Sequence, residues 1–373
     1  MSALDTLDTP ALLLDEGRMK RNCLRMRERV HAAGVLLRPH VKTAKSVEVA
    51  QVALDAPAGP ITVSTLREAE YFCDHGFRDM LYAVGIVPGK VPRIAGLARR
   101  GARVTAIVDS VDAAQALVAA AGKAGVRVPA LIEIDSDGHR AGIAPASPEL
   151  LKVGAALGES LHGVMTHAGD SYNCDSVDCI RAVADREREA VVSSAAALRA
   201  QGHACPVVSV GSTPTATFAR SFEGVSEVRT GVYVFHDLVM AGLGVCSIDD
   251  IAISVLGSVI GHQRDKGWVI TDAGWMALSR DRGTARQKVD QGYGVVCDAA
   301  GAPIEDLIVV DANQEHGIVA RRGGGALDVT RFPIGTRLRV LPNHACATAA
   351  QHSEYRVLEG DQPTRTWERF SGW

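Results

Sequence analysis

The chain lacks the sequence features of membrane, secreted and nucleic-acid-binding proteins. No apolar run approaches the ~20 residues of a transmembrane helix, and residues 1–9 contain aspartates instead of the apolar core of a signal peptide. The 40 Lys and Arg residues and 43 Asp and Glu residues give a net charge of -3, with no basic cluster to attract nucleic acid or an anionic membrane. We therefore expect a cytoplasmic protein that acts on a small-molecule substrate.

The cysteines also lack the regular spacing that is typical of small disulfide-stabilised domains. The eight cysteines are dispersed along the chain from Cys23 to Cys346. This distribution fits a reducing compartment, and we expect most of these residues to be small core side chains.

The chain has 373 residues, of which 47% are hydrophobic, enough for one large barrel and a second domain. Up to about residue 245, short β-rich runs alternate with Ala-, Arg- and Glu-rich helical stretches, and this pattern predicts a parallel (β/α)8 barrel. The candidate strands are residues 35–37, 61–63, 80–84, 104–108, 130–134, 163–166, 207–210 and 227–230. Between them, residues 110–121, capped by Asp109 or Ser110, and residues 181–200 are predicted helices.

After about residue 246 the pattern changes to alternating runs separated by glycines. Residues 251–260, 267–271, 307–310 and 337–340 predict a mostly antiparallel β domain. The apolar run at residues 11–14 is expected to add a strand to it. The predicted organisation is therefore an N-terminal strand (1–18), a barrel (19–245) and a C-terminal β domain (246–373).

Lys42 is the strongest candidate for chemistry. It follows the apolar run at residues 35–37, so its amine should project from the end of a barrel strand. Pro39 fixes the approach to this strand end, and His40 lies close by. A lysine in this position can form a Schiff base with a carbonyl compound, whereas the simpler interpretation is an ordinary surface lysine.

Polar residues also follow two other candidate strands, residues 130–134 and 163–166. Arg140, in the loop at residues 135–142, offers a guanidinium to a phenolate or carboxylate. His167 is an acid-base candidate, and Tyr172 offers an aromatic wall, although a lone histidine here is more often structural. Such polar groups at several strand ends would converge on one barrel face.

The late loops supply a candidate phosphate site. Gly211, Ser212 and Thr213 follow one strand, and Gly231 and Tyr233 follow the next. Late barrel loops commonly bind phosphate, although such small residues also occur in any tight turn.

His344 and Cys346 are candidate metal ligands. Residues that alternate by two point the same way on an extended strand, so both side chains could reach one borderline-soft divalent ion. The alternative is a buried cysteine beside a capping histidine.

Taken in order, these motifs resemble the metal-dependent D-serine dehydratase and D-threonine aldolase family, which has the alanine-racemase-like fold. The resemblance covers essentially the whole chain. It includes residues 38–43, 137–142, 211–215, 231–233, 314–317 and 343–346. The blocks 261–268, 272–277, 279–287 and 366–369 look most similar to the D-threo-3-hydroxyaspartate dehydratase branch.

The resemblance implies pyridoxal 5'-phosphate (PLP) bound to Lys42, with Arg140 at its phenolic oxygen and Tyr172 near its ring. It implies that the phosphate is held by Gly211, Ser212, Thr213, Gly231 and Tyr233. It also implies one divalent metal ion at His344 and Cys346, zinc being favoured over manganese or cobalt. Dehydratases of the family carry His-x-Cys here, whereas aldolases usually carry His-x-Asp. Ala44-Lys45 departs from the His-Lys of many members.

The implied activity is elimination of the β-hydroxyl of a D-3-hydroxy amino acid, with Lys42 and His167 as proton carriers. The best candidate is D-threo-3-hydroxyaspartate, giving oxaloacetate and ammonia, or D-serine, giving pyruvate. Arg280, Arg282 or Arg286 could pair with the second carboxylate of 3-hydroxyaspartate. A homodimer is expected from the family.

Three alternatives stay open. Carbon-carbon cleavage by an aldolase would convert D-threonine or 3-hydroxy-D-aspartate to glycine and an aldehyde at the same kind of site. A non-catalytic PLP carrier would share the barrel and the lysine but would usually be a barrel alone. An alanine-racemase-like enzyme would normally need no metal.

Overall fold

The computed structural model of the protein describes residues 3–138, 140–360 and 362–373. It contains two compact units: Cys23–Gly231 with Gly372–Trp373, and Met1–Asn22 with Val232–Ser371. The division after Gly231 is earlier than the boundary predicted after residue 245. The boundary is earlier because the segment after Gly231 is hydrogen-bonded to residues of the sheet unit. The N–H groups of Leu238 and Val239 donate to the carbonyls of Pro342 (3.0 Å) and Asn343 (3.2 Å).

The chain opens with a 3-10 helix (Ala3–Thr6), strand β1 (Ala11–Asp15) and helix α1 (Glu16–Ala32). The barrel strands are β2 (Leu36–Pro39), β3 (Ile61–Val63), β4 (Asp79–Gly85), β5 (Arg103–Val108), β6 (Ala130–Glu133), β7 (Leu161–Met165), β8 (Val207–Val210) and β9 (Glu227–Thr230). The helices between them are α2 (Val47–Leu54), α3 (Leu66–Asp74), α4 (Val91–Arg99), α5 (Val111–Lys123), α6 (Glu149–Leu157), α7 (Val177–Ala200) and α8 (Thr213–Phe218). Shorter 3-10 helices occupy Pro88–Lys90, Gly158–Ser160 and Gly169–Asn173.

The eight barrel strands are parallel and pair in the order β2-β9-β8-β7-β6-β5-β4-β3. A parallel bridge between His40 and Thr62 joins the two end strands, with the Val41 N–H donating to the Thr62 carbonyl at 2.9 Å. Most strand residues are buried, because helices cover the outer face of a parallel barrel. The predicted (β/α)8 barrel is confirmed.

Helix starts follow local capping rules. The Ser110 hydroxyl accepts the Ala113 N–H at 3.3 Å at the start of α5, so Ser110 and not Asp109 is the cap. Ser176 caps α7 in the same way, and this helix therefore begins earlier than the predicted residue 181.

The second unit is a nine-stranded sheet. Besides β1 it contains β10 (Ile253–Gln263), β11 (Trp268–Thr271), β12 (Val295–Cys297), β13 (Pro303–Ala312), β14 (Gly317–Arg321), β15 (Arg337–Leu341), β16 (Glu354–Glu359) and β17 (Gln362–Glu368). Its helices are α9 (Leu238–Gly242), α10 (Trp275–Leu278) and α11 (Ala345–Ala349), with 3-10 helices at Val232–Val234, Ile248–Asp250, Arg264–Lys266, Gly283–Arg286 and Val329–Arg331.

Strand order in this sheet is β11-β14-β13-β12-β15-β10-β1-β16-β17, with a further β10–β11 pairing that closes six of the strands into a ring. Strand β1 pairs antiparallel with β10 and parallel with β16, and the other pairings are antiparallel. The N-terminal run therefore joins the mostly antiparallel sheet, as the apolar pattern predicts. No helix in the described ranges is both long and apolar enough to span a membrane.

The structure contains one disulfide, which the dispersed spacing of the cysteines did not predict. Cys174 and Cys179 form a disulfide with a Cα–Cα distance of 5.6 Å, because the turn between the Gly169–Asn173 helix and α7 brings the two residues together. Cys23, Cys73, Cys205 and Cys297 are buried thiols, whereas Cys246 and Cys346 are partly exposed.

Arg38 links three strands through buried ion pairs. Its Nε donates to Glu227 Oε2 at 2.8 Å, and its Nη1 donates to Asp79 Oδ1 at 3.1 Å. Burial by itself would raise the pKa of Asp79, but Arg38 and Arg103 hold this pKa below its ordinary value. Charges at this depth are tolerated only because they are paired.

We predict that Glu227→Ala lowers the free energy of unfolding by about 3–5 kcal/mol, since it leaves the buried Arg38 charge only partly paired. Urea denaturation measures the change. Glu159→Ala is the control, because Glu159 forms an exposed pair with Arg127 at 3.4 Å and should change stability by less than ~1 kcal/mol. Equal effects of the two substitutions would contradict the prediction.

Candidate active site

Residues that follow strands β2, β6, β7, β8 and β9 lie at the carboxyl end of the barrel. Parallel strands place these loops at one edge, which is where barrel enzymes carry their chemistry. Lys42 and Arg140, two of the predicted residues, lie close enough to His167 that their charges add to burial in lowering its pKa. The barrel therefore brings together predicted residues from three separate loops.

Lys42 lies just after β2, and its side chain is exposed. Its backbone N–H faces His40 Nδ1 at 3.4 Å. Burial is the main reason why the pKa of His40 lies well below its ordinary value, and Lys42, Arg229 and His167 lower it further. His40 is therefore neutral beside the lysine.

His167 follows β7, and its Nδ1 is 2.8 Å from the Gly211 carbonyl oxygen. Burial lowers the pKa of His167 to about 3, so the ring is neutral at physiological pH. Because a carbonyl can only accept, Nδ1 carries the proton and Nε2 keeps a lone pair. Nε2 is thus available as a hydrogen-bond acceptor.

Arg140 and Tyr172 lie in the loops beside this histidine. Arg140 is exposed, and its Nη2 donates to Glu133 Oε1 at 3.2 Å at the end of β6. Tyr172 lies on the Gly169–Asn173 helix, with its ring centroid 6.3 Å from that of His167. His139, in the same predicted loop as Arg140, lies outside the described residues.

The turn after β8 is buried and tightly hydrogen-bonded. Ser212 caps α8: its Oγ accepts the Thr215 N–H at 3.2 Å, and its N–H donates to Thr215 Oγ1 at 3.2 Å. Thr213 Oγ1 lies 2.5 Å from Thr230 Oγ1. The Ser212 and Thr213 hydroxyls thus already have protein partners. Because the first N–H groups of a helix have no acceptor within the helix, the backbone N–H of Thr213 could also donate to an anion.

Gly231 follows β9 at a point of close backbone approach. An added Cβ would lie 2.8 Å from the His40 carbonyl oxygen and 3.2 Å from Thr43 Oγ1. Tyr233 comes two residues later in the Val232–Val234 helix and is fully buried.

Sequence reasoning missed two buried charged residues in the barrel. Arg229 donates from Nε to Ser209 Oγ at 2.8 Å and also bonds the Thr166 carbonyl. Glu187, on α7, accepts the Gly211 N–H at 2.9 Å. The sequence did contain a signal for both residues, namely a charged side chain within an otherwise apolar pattern, because such a residue needs a buried partner.

His344 and Cys346 lie at the start of α11, so the predicted extended strand is wrong. His344 occupies the N-cap position, and Cys346 lies inside the helix. The helix can start here because Asp237 Oδ2 accepts the Ala345 N–H at 2.9 Å. The two side chains still lie close enough to interact, because Cys346 contributes to the raised pKa of the His344 ring.

Asp281 orients His344. His344 Nδ1 lies 2.6 Å from Asp281 Oδ2, which leaves Nε2 for a metal ion, the arrangement that carboxylate-supported histidine ligands commonly adopt. Burial lowers the pKa of His344, but the interactions with Asp281 and Cys346 outweigh this and raise it to about 11. A metal ion would therefore bind Nε2 by displacing its proton. Within the described ranges no group of three or more His, Cys, Asp or Glu residues could hold a metal ion, so this pair offers two protein ligands.

Two family models match the chain: the N-terminal domain of alanine racemase over residues 14–238 and a putative serine dehydratase domain over residues 252–358. A D-threo-3-hydroxyaspartate dehydratase of Delftia sp. (strain HT23) is 56% identical over 99% of this chain and 98% of its own. The D-serine dehydratase of Dictyostelium discoideum is 29% identical over 98% of each chain.

Comparison with solved structures points to the same group of enzymes. The structure of the Delftia dehydratase matches with a TM-score of 0.97 at 55% identity, covering 100% of both chains. A cysteine-to-alanine variant of a D-threo-3-hydroxyaspartate dehydratase, described as a metal-free form, matches with the same score, identity and coverage. An alanine racemase of Clostridium difficile 630 shares the fold, with a TM-score of 0.69 at 13% identity over 96% of this chain and 98% of its own.

The parallel barrel with a lysine at a strand end, together with an antiparallel sheet unit, defines the alanine-racemase-like class of PLP folds. Within this class, the chain belongs to the family of metal-dependent D-serine dehydratases and D-threonine aldolases.

We predict that Gly211→Ala abolishes PLP binding. Gly211 has φ +153°, and an added Cβ would lie 1.7 Å from the Arg229 carbonyl oxygen, so β8 or β9 would have to move. PLP absorbance and the melting temperature measure the effect. Gly96→Ala on α4 is the control, because its Cβ would meet nothing within 4 Å. Normal PLP binding by the Gly211 variant would contradict the prediction.

Proposed function

We propose that the protein is a PLP- and divalent-metal-dependent dehydratase that eliminates the β-hydroxyl of a D-3-hydroxy amino acid. D-threo-3-hydroxyaspartate is the proposed preferred substrate, with oxaloacetate and ammonia as products. The observation that carries the proposal is the His344 and Cys346 pair, oriented by Asp281 at 2.6 Å, in a chain that also has Lys42 at a barrel strand end. The 56% identity to the Delftia dehydratase supports the same substrate class.

The chemistry of the strand-end groups fits PLP. Lys42 offers the amine, Arg140 a cation for the phenolic oxygen, and His40 and Tyr172 the walls beside the ring. Phosphate would be held by Gly211, Ser212, Thr213, Gly231 and Tyr233. When bound, PLP supplies an electron sink for the negative charge that develops at Cα.

Lys42 Nζ is the proposed general base. Its amine forms no ion pair in the part of the chain that the structure describes, so it could accept the α-proton of the substrate. His167 stays neutral, with Nε2 as acceptor, because burial lowers the pKa of its ring to about 3. The ring would be charged only while it relays a proton, taking it up at Nε2 and passing it on.

His344 Nε2 and Cys346 Sγ would hold the metal ion. A nitrogen and a sulfur ligand favour zinc, with manganese or cobalt as weaker candidates. Bound there, the ion supplies Lewis acidity that stabilises hydroxide as a leaving group. Asp281 keeps the His344 proton on Nδ1 and so leaves Nε2 available for the ion.

A 3-hydroxyaspartate carries its second carboxylate on the carbon that holds the β-hydroxyl. The arginine that binds this carboxylate must therefore lie near the metal ligands. Arg282 is already paired with Asp290 at 2.6 Å, and Arg286 lies near Asp281. Arg280, next to Asp281 in sequence, stacks over the Trp275 ring at 5.3 Å and has no ion pair in the described ranges. We therefore assign the second carboxylate to Arg280.

We predict that PLP-loaded protein converts D-threo-3-hydroxyaspartate to a keto acid and ammonia, and that a chelator removes this activity because hydroxide then leaves without Lewis-acid help. Product analysis measures both, with added zinc as the restoring control and D-serine as a second substrate. Glycine and an aldehyde as products would instead identify an aldolase. PLP binding without any product would support a carrier.

We also predict that Arg280→Ala raises KM for D-threo-3-hydroxyaspartate roughly tenfold or more, since a charge-assisted hydrogen bond is lost. The KM for D-serine, which lacks the second carboxylate, should change little. Steady-state kinetics with both substrates measures the ratio. Arg282→Ala is the matched control; if it changes the ratio and Arg280→Ala does not, the assignment to Arg280 is wrong.

A further inference from the structure

Glu187 is a carboxylate at an apolar position of a long helix. Buried residues on α7 include Ile180, Val183, Ala184 and Ala190, a helical spacing that packs this face of the helix against the barrel. Glu187 belongs to this stripe and is only 2% exposed. A carboxylate is costly to bury unless hydrogen bonds compensate, so its partners indicate what it does there.

The partners belong to two loops at the candidate active site. Glu187 Oε1 accepts the N–H of Gly211, after β8, at 2.9 Å, and the N–H of Ala168, after β7, at 3.3 Å. Burial raises the pKa of this carboxylate, and the nearby Thr215 side chain opposes the rise. One side chain thus joins the proposed phosphate turn to the loop that carries His167.

Both backbone polar groups of Gly211 form hydrogen bonds with side chains. Its N–H goes to Glu187, and its carbonyl accepts from His167 Nδ1 at 2.8 Å. These two bonds set the orientation of the Gly211 backbone, from which Ser212 continues into the capped start of α8. Without the carboxylate, two buried N–H groups would lose their acceptor, and both loops would be released.

We propose that Glu187 is a positioning residue that holds the Gly211–Thr213 turn in the shape that accepts the cofactor phosphate, and holds His167 beside it. This inference rests on the proposed function, because the turn has its phosphate role only in a PLP enzyme. Glu187 is assigned this role through its contacts with the two loops. Its removal should therefore reduce the preference for the phosphorylated cofactor over pyridoxal.

The test is to titrate apoprotein with PLP and with pyridoxal, following cofactor absorbance. Glu187→Ala should weaken PLP binding roughly tenfold or more, while pyridoxal binding changes less than about threefold. Glu187→Gln keeps an amide oxygen that can accept both N–H groups, so it should restore the wild-type PLP-to-pyridoxal ratio. A residue needed only for general stability would weaken both titrations together.

Glu227→Gln is the matched control. Glu227 is also a buried barrel glutamate, but it bonds Arg38 and Ser209 at the start of β9, and its loss should leave the ratio unchanged. If Glu187→Ala is insoluble, Glu187→Asp, whose shorter side chain withdraws the acceptor, takes its place. A wild-type ratio in the soluble Ala or Asp variant, or failure of the Gln variant to restore it, overturns this inference. Absence of PLP binding by the wild type would instead overturn the proposed function.

Discussion

The parallel direction of the eight barrel strands is the constraint on which the candidate site depends. Because every strand ends at the same edge, Lys42, Arg140 and Gly211 share one end of the barrel although they are distant in sequence. The bridge between His40 and Thr62 completes the ring. In an open sheet, β2 would be an edge strand and Lys42 would have neighbours on one side only.

Burial then decides which groups in the barrel carry charge. Burial lowers the pKa of Arg229, and the surrounding Glu227, Glu187 and Glu133 offset part of this cost. Burial keeps the nearby histidines neutral, as the lowered pKa values of His40 and His167 indicate. The strand ends therefore combine cations that can bind an anionic cofactor with neutral rings that can accept hydrogen bonds.

In the sheet unit, two aspartates organise the metal-ligand segment. The Asp237 carboxylate accepts hydrogen bonds from the N–H groups of Met240 and Ala345, each at 2.9 Å. These bonds link the start of α9 to the start of α11. Asp281 holds the His344 ring from another loop. Side chains from separate segments thus pre-organise a two-ligand site, and this saves the ordering entropy that binding a metal ion would otherwise cost.

The sequence by itself determined the barrel, the mostly antiparallel sheet and the residues most suited to chemistry, because strand periodicity, caps and turn residues are local properties. Lys42 after its strand, and Gly211 to Thr213 after theirs, follow from such patterns. Only the tertiary structure decided that residues 344–346 open a helix, that Cys174 pairs with Cys179, and that Glu187 joins two loops. Each depends on which groups meet across space: Asp237 reaches Ala345 from far away in the chain, and Glu187 reaches Gly211 only because α7 packs against the barrel.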